Sequence, residues 1–358
     1  MLNPKDTETV RALGVMSGTS LDGVDLCLAQ FKLSNQKWTY SIEKAKTFEY
    51  TKSEKEILGN AHNLSGLELS YLNAWYGKWI AEKINTFIET SNHPTNIIGS
   101  HGHTVFHNPS KGFSVQIGSG AHIAAITGIP CVCDFRMNDI ARGGQGAPLV
   151  PIGDTLLFNN FDICLNIGGI ANLSFNSTSG ERVAYDICPA NMALNHLAHC
   201  VNKEYDHNGE IGRKGKVNAK LLEQLNRLDF YGLKRPKSLG REWFEQKFLP
   251  LISNVELPTE DLLRTVYEHI AKNISESFAE IPHGKVLVTG GGAKNLFLTN
   301  LISSKCKNDI VIPNAELIDF KEALVFGFLA VLYMHQTPSA IATATGATSN
   351  SVGGCMYM

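Results

Sequence analysis

Residues 13–31 read LGVMSGTSLDGVDLCLAQF. Leu13 to Met16 is a short apolar run, Ser17 to Gly23 is saturated with turn formers, and Val24 to Phe31 resumes a strand-like pattern. The segment is therefore a β-hairpin with a polar, glycine-containing turn. The same logic recurs later: Ile163 to Ile167 has the composition of a buried strand, Gly168 and Gly169 break it, and Ile170 to Phe175 continues as another strand. Two strand-turn-strand starts, each followed by helix and strand patterns, predict a duplicated α/β architecture.

Working outward, Trp38 to Tyr50 reads as a third strand, and Leu67 to Thr90 has helical periodicity carried by Leu69, Leu72, Trp75, Trp79, Ile80, Ile84 and Phe87. Short strands are expected at Asn96 to Gly99, Ser114 to Ile117 and Cys131 to Phe135, with a loop between the first two. Further helices are expected at Asn191 to Val201, Asn218 to Leu228, Glu260 to Ala279 and Lys321 to Met334, and a strand at Lys285 to Thr289 running into Gly290-Gly291-Gly292. The glycine- and charge-rich stretch Arg136 to Pro148 breaks this rhythm and is the expected crossing between lobes. That places a first lobe at 1–136 and a second at 137–342.

The chain has 358 residues, 43% of them hydrophobic and 18% charged, enough for two lobes with sizeable cores. Its formal charge of -2 comes without a basic run, which argues against nucleic acid as a partner. Lys5, Asp6 and Glu8 leave the first ten residues without the apolar core of a signal peptide, and no stretch of about 18 apolar residues predicts a membrane span. The eight cysteines are scattered without a paired framework, so reduced structural thiols and a cytoplasmic location are expected.

Walker-type, complete G-x-G-x-x-G and G-x-S-x-G motifs are absent from the sequence. Three glycine turns stand in their place, at 18–23, 168–169 and 290–292, each after an apolar strand. One such turn is more often a plain structural hairpin, but three in one chain suit backbone N–H groups aimed at phosphate oxygens. In Gly18-Thr19-Ser20-Leu21-Asp22-Gly23 the hydroxyls add donors, and Asp22 or Asp25 has the oxygen chemistry that magnesium takes through its water shell. Asp186, after an apolar strand and just before a helix, reads either as a base in a cleft or as a cap of that helix. His101, His103 and His107 suit hydrogen bonding to a polar substrate or a surface loop, and Asp134-Phe135-Arg136 ends a strand with an acid and a guanidinium.

Taken in order, these motifs resemble one family. Gly14-Val-Met-Ser-Gly-Thr-Ser-Leu-Asp-Gly23, Gly99-Ser-His-Gly102 with Thr104 and His107, Gln116-Ile-Gly118, Asp134-Phe-Arg136, Gly143-Gly-Gln-Gly-Ala-Pro-Leu-Val-Pro151, Asn166-Ile-Gly-Gly169, Asn172, Gly290-Gly-Gly292 with Asn295, and Glu322-Ala323 are similar to anhydro-N-acetylmuramic acid kinases over nearly the whole chain. The resemblance implies a two-lobed actin-like ATPase fold, ribonuclease H-like and duplicated, with a central interlobe cleft. In this fold class the C-terminal segment, here 343–358, is expected to complete the first lobe.

The implied activity uses ATP and Mg²⁺ to open the 1,6-anhydro ring of anhydro-N-acetylmuramic acid with water and to phosphorylate O6, in recycling of cell-wall sugar. Asp186 and Glu322 are the implied catalytic residues. Gly18, Thr19, Ser20, Leu21, Asp22, Gly23, Val24, Asp25, Gly168, Gly169, Gly290, Gly291, Gly292 and Asn295 are the implied ATP contacts, with Asp22 holding magnesium through water. His101, Thr104, Gln116, Asp134, Arg136 and Asn172 are the implied sugar contacts, and the chain is expected to act as a homodimer without nucleic acid or membrane. Cys188 and Ala190 replace glycines that the family carries beside its base, which predicts a displaced loop and leaves open a different amino-sugar substrate or a nucleotide-binding homologue with impaired catalysis.

Overall fold

The hairpin at 13–31 grows into a long antiparallel meander in the computed structural model, which describes residues 7–18, 21–91, 93–235 and 237–358. Strand β1 (Thr7–Ser17) pairs with β2 (Gly23–Ser34), and β2 with β3 (Lys37–Glu49). β4 (Ile97–Ser100) joins the other side of β1 in parallel. β5 (His103–Asn108) and β6 (Phe113–Ile117) form a separate antiparallel hairpin, so the histidines expected in a loop lie in and beside a strand. β7 (Cys131–Cys133) adds in parallel to β4.

The second hairpin also becomes a meander, of β8 (Ile163–Ile167), β9 (Ile170–Asn176) and β10 (Arg182–Pro189). β11 (Lys285–Thr289) adds in parallel to β8, and β12 (Asp309–Val311) in parallel to β11. β13 (Cys355–Tyr357) returns to the first sheet, antiparallel to β7. The sheet orders are β13-β7-β4-β1-β2-β3 and β10-β9-β8-β11-β12. Counted from the meander's first strand, both run third, second, first, then two parallel strands. The chain is thus an α/β protein of the actin-like class, with a ribonuclease H-like sheet in each of its two units.

The units are 1–157 with 320–358, and 158–319. The division therefore differs from the expected one at 136/137 and 342/343, for a local reason. Asp139 is fully buried, and its carboxylate accepts hydrogen bonds from Gly146 N at 2.8 Å and Thr345 Oγ1 at 2.7 Å. The glycine-rich stretch is thereby folded back into the first unit instead of leaving it.

The helix Ala315–Met334 belongs to the first unit from Phe320 onward. Gly14 and Gly99 are partners across β1 and β4. A Cβ at Gly14 would come within 1.7 Å of Ala323 O, and one at Gly99 within 2.0 Å of Phe326 O, so the helix main chain rests directly on these glycines. On the other face, Leu13, Val15, Leu26 and Leu28 pack against Leu72, Ile80 and Ile84 of the helix Gly66–Ile88, whose start is fixed by the Ser65/Glu68 capping box. Leu165, Ile167 and Leu173 form the second core with Leu263, Val266 and Ile270 of the helix Thr259–Ser277. Each such buried side chain contributes about 1.5–3 kcal/mol. Among the described residues, no helix is long and apolar enough to cross a membrane.

Candidate active site

Asp186 lies in a row that the second sheet's register builds. It opposes Asn172, which opposes Asn166, which opposes Thr289. Directly opposed residues share a face, so the carboxylate and two amides project together. The register of β10 shifts between Asp186 and Cys188, a bulge of the kind that re-aims a side chain. The Asp186 carboxylate accepts a hydrogen bond from Leu239 N at 2.8 Å, and Asp186 N donates to Lys237 O at 3.0 Å.

The capping alternative for Asp186 does not hold: the helix Asn191–His199 follows Ala190 with no side-chain cap, and the carboxylate is engaged elsewhere. Burial raises the Asp186 carboxyl to about 6, against the opposing pull of the Leu239 N–H. Cys188 and Ala190 are fully buried, and neither has positive φ; Ala190 sits at φ -123°.

The glycine turns of the second unit meet beside this row. Ala190 N and Met192 N donate to Gly169 O at 2.8 and 3.1 Å, and Asn191 N to Gly168 O at 3.1 Å, which docks the helix start on the β8–β9 turn. Gly290 has φ +81°, and a Cβ there would lie 2.5 Å from Asn166 Oδ1. Gly292 is buried against Ile167, whereas Gly169 and Gly291 are exposed, with nothing closer than 3.7 and 3.6 Å to an added Cβ. A bare backbone surface is left at the carboxyl ends of β8 and β11. Asn295, expected at the nucleotide, caps the helix Leu296–Lys305 through Leu298 N and donates to Tyr267 OH at 2.8 Å, so its amide is committed locally.

In the first unit, Thr19 and Ser20 lie outside the described residues. Gly18 O accepts from Leu21 N at 3.4 Å, and Asp22 O from Tyr50 N at 3.2 Å. Val24 is fully buried and Leu21 packs on the same core, which leaves their backbone, not their side chains, for a ligand. Gly23 follows the exposed Asp22, and the Asp25 carboxylate accepts from Thr47 Oγ1 at 2.5 Å. Beneath the turn, Ser17 Oγ bonds Tyr50 OH at 2.8 Å and His103 Nδ1 at 3.1 Å, a buried support that motif reading missed.

Arg136 spans two acceptors, donating from Nη1 to Gly146 O at 2.6 Å and from Nη2 to His101 Nε2 at 2.8 Å. Burial and the Arg136 charge push His101 down to about 3, and burial lowers Arg136 itself to about 10. Glu322 is pushed up by burial and by the Asp25 charge, against the pull of Lys321 and Arg136. Gln116 Nε2 donates to Ser114 Oγ at 2.7 Å and Thr104 Oγ1 at 3.3 Å, while Asp134, at φ +57°, is held by Met137 N and raised by burial. His101, Arg136, Asp25 and Glu322 thus form one electrostatic group, and Asp186, Asn172 and the later glycines another, each within its own unit.

The sheet topology is that of the actin-like class. The family model for anhydro-N-acetylmuramic acid kinase matches residues 10–358. Kinases of that name from Vibrio cholerae and Pseudomonas syringae are each 35% identical, over 96% of this chain and 97% and 98% of theirs; one from a Sulfurovum species is 34% identical over 97% and 99%. Among solved structures, the (R)-2-hydroxyglutaryl-CoA dehydratase component A of Acidaminococcus fermentans aligns at TM-score 0.45 and 13% identity, over 90% of this chain and 97% of that one. The chain belongs to the anhydro-N-acetylmuramic acid kinase family and is a phosphotransferase with an alcohol group as acceptor.

Proposed function

We propose that the protein hydrolyses the 1,6-anhydro ring of anhydro-N-acetylmuramic acid while transferring the γ-phosphoryl group of ATP to O6, giving N-acetylmuramic acid 6-phosphate and ADP. The observation that carries this is Asp186, a carboxylate beside two amides whose proton affinity is raised towards neutrality. Water attacks the anomeric carbon and Asp186 takes its proton, the role of the base in inverting glycoside hydrolysis. The C1–O6 bond breaks, and O6 takes the phosphoryl group in place of a proton.

In the second unit Gly168, Gly169, Gly290 and Gly291 suit close backbone approach to a nucleotide, and in the first unit the backbone of Gly18 and of Leu21 to Asp25 suits phosphate oxygens. Among the described residues no group of three or more His, Cys, Asp or Glu side chains could hold a metal ion. The carboxylates of Asp22 and Asp25 fit magnesium held by one or two protein oxygens, water and phosphate. Bound there, the ion supplies charge neutralisation on the phosphate oxygens. In the first unit Arg136 and neutral His101, with Thr104, Gln116 and Asp134, offer donors and acceptors suited to a sugar, and Glu322, pushed towards its protonated form, suits orienting sugar or water; in the second unit Asn172 offers an amide of the same kind.

Free thiols at all eight cysteines accord with a cytoplasmic enzyme, and the implied homodimer is a matter for light scattering. The deciding experiment is product mass after reaction with Mg-ATP and the anhydro sugar in ¹⁸O-water. A 6-phosphate with one heavy oxygen, absent with Asp186→Asn, supports the reading. A phosphorylated sugar without heavy oxygen would mean direct phosphorylation of an amino-sugar hydroxyl, and ATP binding without product a disabled homologue.

A further inference from the structure

Residues 229–235 and 237–239 lie well along the chain from β10, and the latter touch Asp186 twice, through Leu239 N on the carboxylate and Lys237 O on the amide. Side chains hold this segment in place. Lys237 Nζ donates to Phe230 O at 3.1 Å and lies 4.4 Å over the Phe230 ring, closing the segment on itself. Tyr231 OH meets His269 Nε2 at 2.7 Å, and His269 Nδ1 meets Asn226 Oδ1 at 2.7 Å. An amide oxygen only accepts, so the imidazole carries its proton on Nδ1 and receives the tyrosine hydroxyl on Nε2. His269 is fully buried, and burial lowers it to about 3, so this lock stays neutral over any working pH.

We propose that Lys237 and Tyr231 are positioning residues for Asp186, holding the Leu239 N–H against the carboxylate that receives the water proton. The inference rests on the reading of Asp186 as the base. A hydrogen bond to the charged form opposes the upward push of burial, so the segment keeps the base from protonating too readily. Titratable or charged groups on the packed elements include Tyr185 and Cys188 on β10, Tyr231, Arg235 and Lys237 on the segment, Glu280 paired with Arg235, and His269 bonded to Tyr231; β9 and β8 oppose Asp186 with the neutral amides of Asn172 and Asn166.

The test is a ¹³C NMR titration of aspartate carboxyls in the full chain, with Asp186 assigned through Asp186→Asn, comparing wild type, Lys237→Met and Tyr231→Phe. Methionine keeps the apolar stem over Phe230, and phenylalanine keeps the ring. The expected result is an upward shift of the Asp186 carboxyl by about half a unit or more, matched by the acid limb of kcat/KM for the sugar, with KM for ATP unchanged. Lys237→Arg, which retains a cationic donor, restores the wild-type titration. Folded variants whose carboxyl and acid limb both stay at wild-type positions would overturn the proposal. If Asp186→Asn keeps wild-type turnover, the assignment of the base fails instead, and the titration alone still decides whether the segment tunes this carboxyl.

Discussion

Nη2 of Arg136 donates to Nε2 of His101 at 2.8 Å, so the imidazole is neutral, with its proton on Nδ1 facing Gly102 O at 2.9 Å. The contact holds the DFR strand end and the SHG loop together through one planar group. Lysine cannot reach Gly146 O and His101 at once. Arg136→Lys is therefore expected to lower kcat/KM for the anhydro sugar by roughly 10- to 100-fold (about 1.4–2.7 kcal/mol), with KM for ATP unchanged in steady-state kinetics.

Asp186→Asn is expected to lower kcat by at least about 10²–10⁴-fold. The wild-type rate should fall as pH drops through about 6, because the base must be unprotonated. The same raised carboxyl has the opposite effect on stability. The native state binds this proton more tightly than the unfolded state, so its contribution to stability is lost as pH rises from 3.8 through about 6. Thermal melts should show the asparagine variant more stable than wild type at pH 7–8, with the gap closing near pH 4.

A methyl group at Gly14 would overlap Ala323 O, and both partners are main chain, so nothing can rotate away. Gly14→Ala is expected to cost about 3 kcal/mol or more, read as a lower denaturant midpoint. Glu322 is carried on the helix that would be lifted, so kcat should fall in whatever fraction stays folded.

Lys321 Nζ lies 2.7 Å from Asp154 Oδ1, with the side chains only 6% and 5% exposed. Lys321→Met leaves a buried carboxylate without its cation and should cost roughly 3–5 kcal/mol. Lys321→Met combined with Asp154→Leu should recover most of that loss in chemical denaturation. If the double variant is no better than the single, the pair is not the source of the penalty.

Replacing Cys188 and Ala190 by glycine tests whether these positions limit turnover. Neither has positive φ, and both side chains are buried in the second core. The double change should leave kcat within about twofold while lowering stability by roughly 1–3 kcal/mol, measured by paired kinetics and melts.

The hairpins at 13–31 and 163–175 were readable because strand and turn chemistry alternate within a few residues, and the register then follows from which face is buried. Asp186 could be singled out, but not separated from a helix cap, because the deciding contact is to Leu239, fifty-three residues on. The division into units depends on contacts of the same long range. Glycines at 143–146 look like a linker until Thr345 is found on Asp139, and that pair is 206 residues apart. Gly14 and Gly99 were visible as motif letters, yet their use as a seat for a helix appears only when Ala323 and Phe326 arrive from the far end of the chain. Local pattern reports pairing between neighbours in sequence; contacts closed over long loops leave no periodicity to read.

The interleaving of the units also orders events during synthesis. Residues 158–319 form a contiguous unit, whereas the first sheet takes its glycine-seated helix from Phe320 onward and its edge strand from Cys355–Tyr357. A ribosome therefore delivers everything the second unit needs before the first has its last parts. Until then the floor around Gly14 and Gly99 is a hydrophobic surface without its cover, the kind of surface that chaperones hold on a nascent chain.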